Sequence, residues 1–581
     1  MSTSRSLLGN LSAATLRHRR TCIQQYQPLA QVQKARSLYL WNPPQFENER
    51  VKTYAKGSPE RAEITQALKD LKATFPVKIP IKANGVMINE TFSTAQENPS
   101  SFREIVAEYA AASPADVNKC IDAALKAKPA WEAMPFEDRA AIFLRACELI
   151  TGKYRATINA ATMLGQGKNV FQAEIDAACE TVDFFRYYIQ QAWKLFAQQP
   201  TIHTPGTWNK LEYRALEGFV YAIAPFNFTA LAATLVGPVA LLGNVVVWKP
   251  SPSALHSAWV LHKILIEAGL PEDVIQFVPG DAAQITDTVL ARPEFSGLSY
   301  IGSTAVFREL LGKVGKATAA GTFNSYPRVV GETGGKNFHL VHSSADVKNA
   351  ALNTIRAAFE YQGQKCSACS RVYVAETAWP EFKNALVEET SKLKVGQPEQ
   401  FENFVNPVIH RRAFDRLSDV IERMKSDSEV ELLVGGKVDD SEGYFVHPTI
   451  YRTTNPKHEL MTRELFGPLF SIYVYADDKY AEILEMVNST STYALTGSIF
   501  ARDQIASRQA QDALRHSAGM LYLNTKCTGS VVAQQPFGGS RDSGTNDKSG
   551  TAALLSRFVS VRTIKEEFGT INEVVYPSNE V

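Results

Sequence analysis

At 581 residues the chain is long enough for two or three domains, and 45% hydrophobic with 21% charged residues is the make-up of an ordinary globular protein. A net charge of +1 argues against a nucleic-acid groove or a polyanionic partner. The 7 cysteines, odd in number and irregularly spaced, argue against a disulfide framework and point to a reducing compartment.

The N-terminus differs in kind from the rest. Met1 to Phe46 contains no Asp or Glu, while Arg5, Arg17, Arg19, Arg20, Lys34 and Arg36 are basic. Ser2, Ser4, Ser6 and Ser12 are interleaved with Leu7, Leu8, Leu11 and Leu16 at roughly helical spacing. This pattern predicts an organelle-targeting presequence and disordered start over 1–40, the alternative being a plain basic tail.

Residues 103–200 read as helices. "SPADVNKCIDAALKA" opens with Ser113 as cap and Pro114 at the first helical position. Ile175, Cys179, Val182, Phe185 and Ile189 form one stripe of a long helix. Cys120, Cys147 and Cys179 fall inside these patterns, where a thiol serves as a small hydrophobe. The apolar stretch 218–248 is long enough to span a bilayer, but Pro225, Asn227, Pro238 and Gly243–Asn244 divide it into a buried strand–helix–strand.

From 218 the texture becomes short apolar runs alternating with helices: "FVYAIA", "VVVWKP", "VIQFVPG" and "GLSYIGS". This is the pattern of a parallel sheet with ligands at the carboxyl ends of its strands. No G-x-G-x-x-G follows any of them, yet Gly302, Ser303 and Thr304 open a helix whose N–H groups suit a phosphate. A second alternating block runs from 346 to about 525, with "SRVYVAE", "FGPLFSIYVY" and "GSIFA" as strands. Segments 207–218 and 556–568 fit neither block and read as a flap that pairs with another subunit.

Cys366 and Cys369 lie close together in "EYQGQKCSACSRVYV". A structural zinc site needs four ligands, and only Cys527 follows, with no second C-x-x-C or H-x3-H. No metal is expected. A thioredoxin-like pair belongs near the start of a small domain. What remains is one nucleophilic thiol or two structural ones. Gly363 and Ser367 favour an exposed turn, with Lys365 placed to hold a thiolate. Upstream, Glu332 in "VVGETGGKN" is a carboxylate on a glycine-rich turn, suited to a mobile general base; alone it would read as a solvated loop residue.

"APFNF" (224–228), "VVWKPS" (246–251), "YIGST" (300–304), "GETGGK" (331–336), "GQKCSACSR" (363–371), "ELFGP" (464–468) and "PFGG" (536–539) occur in this order. Together they resemble the aldehyde dehydrogenase superfamily, over residues 80 to 567. "EGFVYAIAPFNFTA", "VGETGGKNFH" and "QQPFGGSRDSGTND" look most like members that oxidise L-glutamate γ-semialdehyde, which equilibrates with 1-pyrroline-5-carboxylate, to L-glutamate in proline degradation.

The resemblance implies an α/β fold with a Rossmann-like NAD-binding domain (41–195 plus 218–330), an α/β catalytic domain (331–548) and a small β-flap with the C-terminal tail (196–217 plus 549–581). It implies a mitochondrial matrix enzyme and at least a homodimer, with no nucleic acid and no membrane insertion. Cys366 would be the nucleophile, Asn227 with the Cys366 N–H the oxyanion donors, and Glu332 the base that activates water; Cys369 becomes a packed thiol. NAD would be held by Lys249 at the adenosine ribose, by Gly302, Ser303, Thr304, Ala305 and Val306 at the pyrophosphate, and by Glu464 and Phe466 at the nicotinamide end. Ala224 would add a backbone carbonyl. Pro252 stands where NAD-preferring relatives commonly carry an acidic residue, so exclusion of NADP is not implied. Gly529, Ser530 and Ser367 would bind the α-carboxylate, with Phe228 and Phe537 flanking the aliphatic chain. The competing readings are another semialdehyde dehydrogenase, against which "TGS" before "QQPF" argues, and an inactive scaffold, against which the intact Cys366, Glu332 and Asn227 argue.

Overall fold

The computed structural model describes residues 42–580, and the expected presequence lies outside them. After a first helix, Pro59–Lys72, strands β1 (Val77–Ile79), β2 (Phe92–Asn98) and β3 (Ser101–Ala110) join in one small sheet. The last of these corrects the expectation of helix from 103 onward. Ile105, Val106 and Tyr109 are β-branched or aromatic, and the antiparallel pairing with β2 outweighs the helical spacing of the same apolar residues.

Helices follow as expected: α1 (Pro114–Ala133), α2 (Phe136–Thr151), α3 (Arg155–Gln166) and α4 (Thr181–Phe196). At the start of α1 the Asp116 N–H donates to Ser113 Oγ while the Asp116 side chain accepts from the Ser113 N–H, a reciprocal cap with Pro114 at the first turn. The stripe through Cys179, Val182, Phe185 and Ile189 is buried, but Glu174–Glu180 is wound as a π-helix. Such a widened turn redirects the side chains that follow it, and none of the apolar spacing announces it.

Two parallel sheets carry the rest. Strand β4 (Thr207–Ala215) leads into the first, formed by β5 (Phe219–Ile223), β6 (Val245–Lys249), β7 (Ile275–Phe277), β8 (Phe295–Ile301) and β9 (Arg328–Glu332), in the order β9-β8-β5-β6-β7. Every pairing is parallel. All five residues of β6 are buried, as a strand covered on both faces requires. Between β5 and β6, every residue of α5 (Thr229–Leu241) except Leu231 is buried; α8 in turn, after β8, spans Thr304–Ala319, with α6 (Leu255–Glu267) and α7 (Ala282–Leu290) between. The chain leaves β5 toward β6 on one side and returns to β8 on the other. That reversal opens a crevice at the carboxyl ends of β5 and β8, where Ala224 and Gly302 begin their loops.

The second sheet contains β10 (Asn337–Val341), β11 (Cys369–Ala375), β12 (Val430–Val434), β13 (Thr449–Thr453), β14 (Leu469–Tyr475), β15 (Thr496–Phe500) and β16 (Met520–Leu523), ordered β12-β13-β14-β11-β10-β15-β16. Only β12 runs antiparallel to its neighbour. Helix α9 (Val347–Phe359) crosses from β10 toward β11. Finally β17 (Val559–Glu567) pairs antiparallel with β4 over its full length, so the two flap segments find each other. Among the described residues no helix is long and apolar enough to cross a membrane.

Candidate active site

The cysteine loop is built from strain held in place by packing. After α9, Tyr361, Gln362 and Gly363 adopt φ of 51, 55 and 66° in succession. Left-handed backbone at a non-glycine residue costs on the order of 1–3 kcal/mol, so the surroundings must impose it. Here the Tyr361 O–H donates to the Gln166 carbonyl at 3.0 Å, and Gln362 Nε2 donates to the carbonyls of Gly167 and Pro407. Gly363 is obligatory on a second ground, since a Cβ there would lie 2.2 Å from the Gly467 carbonyl oxygen. Cys366 emerges half-buried between the buried Lys365 and Ser367, not on an exposed turn. Asn337 Nδ2 braces it from below, donating to the carbonyls of Cys366 (2.7 Å) and Ala368 (2.9 Å).

From the other sheet, Asn227 in the loop after β5 donates Nδ2 to the Gln364 carbonyl at 3.1 Å, which brings its amide to the cysteine loop. Glu332 is the last residue of β9, not part of a free loop, and its carboxylate accepts from the Gly539 N–H. Burial pushes that carboxyl well above its ordinary range, against the pull of the Gly539 N–H and the Lys548 ammonium. Burial also pushes the Cys366 thiol up to about 12, helped by the neighbouring Glu332 and Glu464. Lys365 does not offset this. Its ammonium is 3.0 Å from Glu360, which also pairs with Lys526, and burial notwithstanding the two cations hold Glu360 down at about 2. The expectation that Lys365 holds a thiolate is therefore corrected: a buried carboxylate has taken its charge.

The cofactor cradle assigned by resemblance has matching chemistry. Ser303 caps α8, and Ser303, Ala305 and Val306 are exposed at its first turn. Gly302 admits no side chain, because a Cβ would lie 2.4 Å from the Tyr300 hydroxyl, so the backbone there is open to close approach. The Thr304 hydroxyl donates to the Asp542 carbonyl and faces away from this surface. Lys249 ends β6 nearly buried, lowered to about 8 by desolvation that Asp281 only partly offsets. Ala224 donates its N–H to the Lys249 carbonyl, closing the turn. Glu464 accepts from the Gly335 N–H at 2.8 Å and is raised to about 7 by burial. Phe466, at φ 52°, packs edge-on against Phe226.

On the substrate side, Gly529 (φ 88°) and Ser530 border a cavity of about 650 Å³, whose wall also includes Glu180, Gln172 and Tyr54. Cys366, Phe228 and Phe537 do not border it. The Ser367 hydroxyl is engaged with Thr528 at 2.6 Å and so ties the cysteine loop to the Gly529 loop. Phe228 lies under the Lys168 ammonium, edge-on to Tyr361, and Phe537 pairs its backbone with Ser549.

Cys369 is buried beside Cys527 and His339, three donor atoms within 4.8 Å of one another. Each already has a protein partner. His339 Nδ1 meets Thr354 at 2.8 Å and Nε2 accepts the Cys527 N–H, while the two thiols face the carbonyls of Arg371 and Ser367. Asn337, Lys168, Asp176 and Glu360 escape sequence reasoning, because single polar residues in apolar surroundings carry no spacing signal.

The chain matches the aldehyde dehydrogenase family over residues 89–564. It is 54% identical over 540 residues to "Delta-1-pyrroline-5-carboxylate dehydrogenase, mitochondrial" of Emericella nidulans, covering 92% of this chain and 94% of that one. The protein of the same description from Homo sapiens is 46% identical over 530 residues, 91% of this chain and 93% of that one. Among solved structures, the delta-pyrroline-5-carboxylate dehydrogenase of Mycobacterium tuberculosis bound with NAD superposes with a TM-score of 0.89 at 43% identity, covering 93% of this chain and 99% of that one.

Proposed function

This chain belongs to the aldehyde dehydrogenase family, and from that we propose how its residues divide the work of oxidising L-glutamate γ-semialdehyde to L-glutamate with NAD. It is the second step of proline degradation, carried out in the mitochondrion; relatives of that description cover nearly the whole chain. The observation that carries the site assignment is the convergence of Asn227 and Glu332, from the carboxyl edge of the first sheet, on the Cys366 loop at the amino edge of the second.

Cys366 gives its thiol proton to solvent, its Sγ attacks the aldehyde carbon, and the resulting alkoxide is held by the Asn227 amide and the Cys366 N–H. Bound NAD supplies the hydride acceptor. Gly302 with the first turn of α8 holds the pyrophosphate, and Lys249 and Glu464 hold the two riboses. Loss of hydride leaves a thioester on Cys366. Glu332, its carboxyl raised well above the ordinary range by burial, takes in its ionised form a proton from water, and the resulting hydroxide equivalent attacks the thioester and expels the thiolate as the second carboxylate of glutamate forms. Phe228 and Phe537 flank the three-carbon chain, while Ser530 and the Gly529 N–H meet the α-carboxylate. We place NAD at the carboxyl edge of the first sheet, the chemistry where that edge meets the Cys366 loop of the second, and a homodimer or higher oligomer on the β4–β17 ribbon. Steady-state oxidation of a panel of semialdehydes, with NAD and with NADP, tests the assignment. Glutamate semialdehyde with NAD should give the highest kcat/KM; a preference for succinate semialdehyde would overturn it.

A further inference from the structure

One short segment, 166–176, touches both halves of the oxyanion site. Gln166 and Gly167 accept from the Tyr361 and Gln362 side chains, which fixes the left-handed backbone ahead of Cys366. Farther on, Asp176 accepts the Thr229 N–H at 2.9 Å and the Ala230 N–H at 2.8 Å. These are the first amides of α5, directly after Asn227 and Phe228. Phe228 occupies the cap position of α5 and has no side-chain oxygen, so the distant Asp176 caps the helix in its place.

Lys168 joins the two. Its ammonium is fully buried, pairs with Asp176 at 2.8 Å, and sits 3.8 Å from the Phe228 ring centroid and 4.4 Å from that of Tyr361. One cation thus touches an aromatic on each loop and the carboxylate that caps one of them. A fully buried ion pair is poor value for stability alone, since an apolar pair of the same shape does as well or better. Burial lowers the Lys168 ammonium against the attraction of Asp176, as such a cost requires.

We propose that Lys168 is a positioning residue that, through Asp176, Phe228 and Tyr361, sets the Asn227 amide against the Cys366 N–H. The proposal rests on the reading of those two groups as the oxyanion donors. Neither Lys168 nor Asp176 touches substrate; they fix the distance between donors that belong to different sheets. A displacement of about 1 Å at such a site costs about 100-fold in rate.

Two reactions at the same sulfur separate positioning from folding. Attack of Cys366 on 4-nitrophenyl acetate forms a C–S bond through an oxyanion, expels 4-nitrophenolate and gives the thiol proton to solvent. Alkylation by iodoacetamide forms a C–S bond with loss of iodide and develops no oxyanion. In Lys168→Met, which keeps the volume, the 4-nitrophenolate burst should slow by about 10- to 100-fold. Alkylation should stay within about twofold of the parent rate. Asp176→Asn, which retains one acceptor, should show the same split at smaller size, and it decides the matter if Lys168→Met does not fold. Equal losses in both reactions would mean a structural role only, and unchanged acylation would mean none; either overturns the proposal. Because the ester needs neither NAD nor glutamate semialdehyde, failure of the substrate assignment would appear separately, in the parent enzyme's dehydrogenase assay.

Discussion

Cys366 presents a paradox at the scale of one residue: the proposed nucleophile is a thiol pushed up to about 12 by burial and by two carboxylates. A raised pKa favours the protonated form, so the thiolate fraction rises about tenfold per pH unit all the way to that value. Without cofactor, alkylation of Cys366 should therefore keep climbing from pH 7 to 10. A plateau near pH 8.5, where a free cysteine levels off, would contradict the environment described. At Ser530 the deciding quantity is the charge of the α-carboxylate. A hydrogen bond to a carboxylate contributes about 1.5–3 kcal/mol, so Ser530→Ala should lower kcat/KM for glutamate semialdehyde by about 10- to 150-fold. An uncharged aliphatic aldehyde of similar length should be little affected, and equal losses on both would assign the serine to loop structure. Cys366, Glu332 and Asn227 were legible because each stands in a short motif whose order along the chain is diagnostic. The fate of Lys365 was not, since nothing local reveals that Glu360 and Lys526 claim its charge.

Elements place these residues by close approach, and the glycines of "GETGGK" show how. A Cβ at Gly331 would fall 2.2 Å from the Phe307 ring, which itself stacks on Tyr300 and has nowhere to go. A Cβ at Gly334 would meet the Glu464 carboxylate at 2.2–2.5 Å, the far end of a flexible side chain. The two substitutions should therefore differ. Gly331→Ala should lower stability by about 1–3 kcal/mol through overpacking. Gly334→Ala should leave the melting temperature nearly unchanged but displace Glu464 from the Gly335 N–H, raising the KM for NAD by about tenfold or more. Thermal melts beside NAD titrations check both, and an unchanged KM in Gly334→Ala would remove Glu464 from the cofactor site. Sequence periodicity recovered the parallel strands because their apolar runs are continuous. It misread 103–110, where the strand pattern is set by pairing with β2, and it passed over the π-turn at 174–180, which no residue type marks.

The whole molecule works as two sheets facing each other across the cysteine loop, with the β4–β17 ribbon standing apart. A two-stranded ribbon is marginal alone and leaves two unpaired edges. This one also exposes Trp208 (50%) and Val561 (48%), which suits an interface with another copy. Trp208→Lys with Val561→Glu should shift the enzyme to monomers in sedimentation velocity, and an unchanged oligomer would place the interface elsewhere. The flap segments were visible in the sequence only as misfits to both blocks; their mutual pairing is a long-range fact that no local pattern holds. The central claim is that the chemistry is split in time: the Cys366 loop and Asn227 carry acylation and hydride loss, and Glu332 acts only on the thioester afterwards. Rapid-quench turnover of Glu332→Gln with saturating NAD and glutamate semialdehyde tests it most directly. One equivalent of NADH per active site should appear at near the parent rate, followed by stalled turnover with a glutamyl thioester on Cys366 detected by intact mass. Absence of the burst, with Cys366 unmodified, would place Glu332 before hydride transfer and contradict the division.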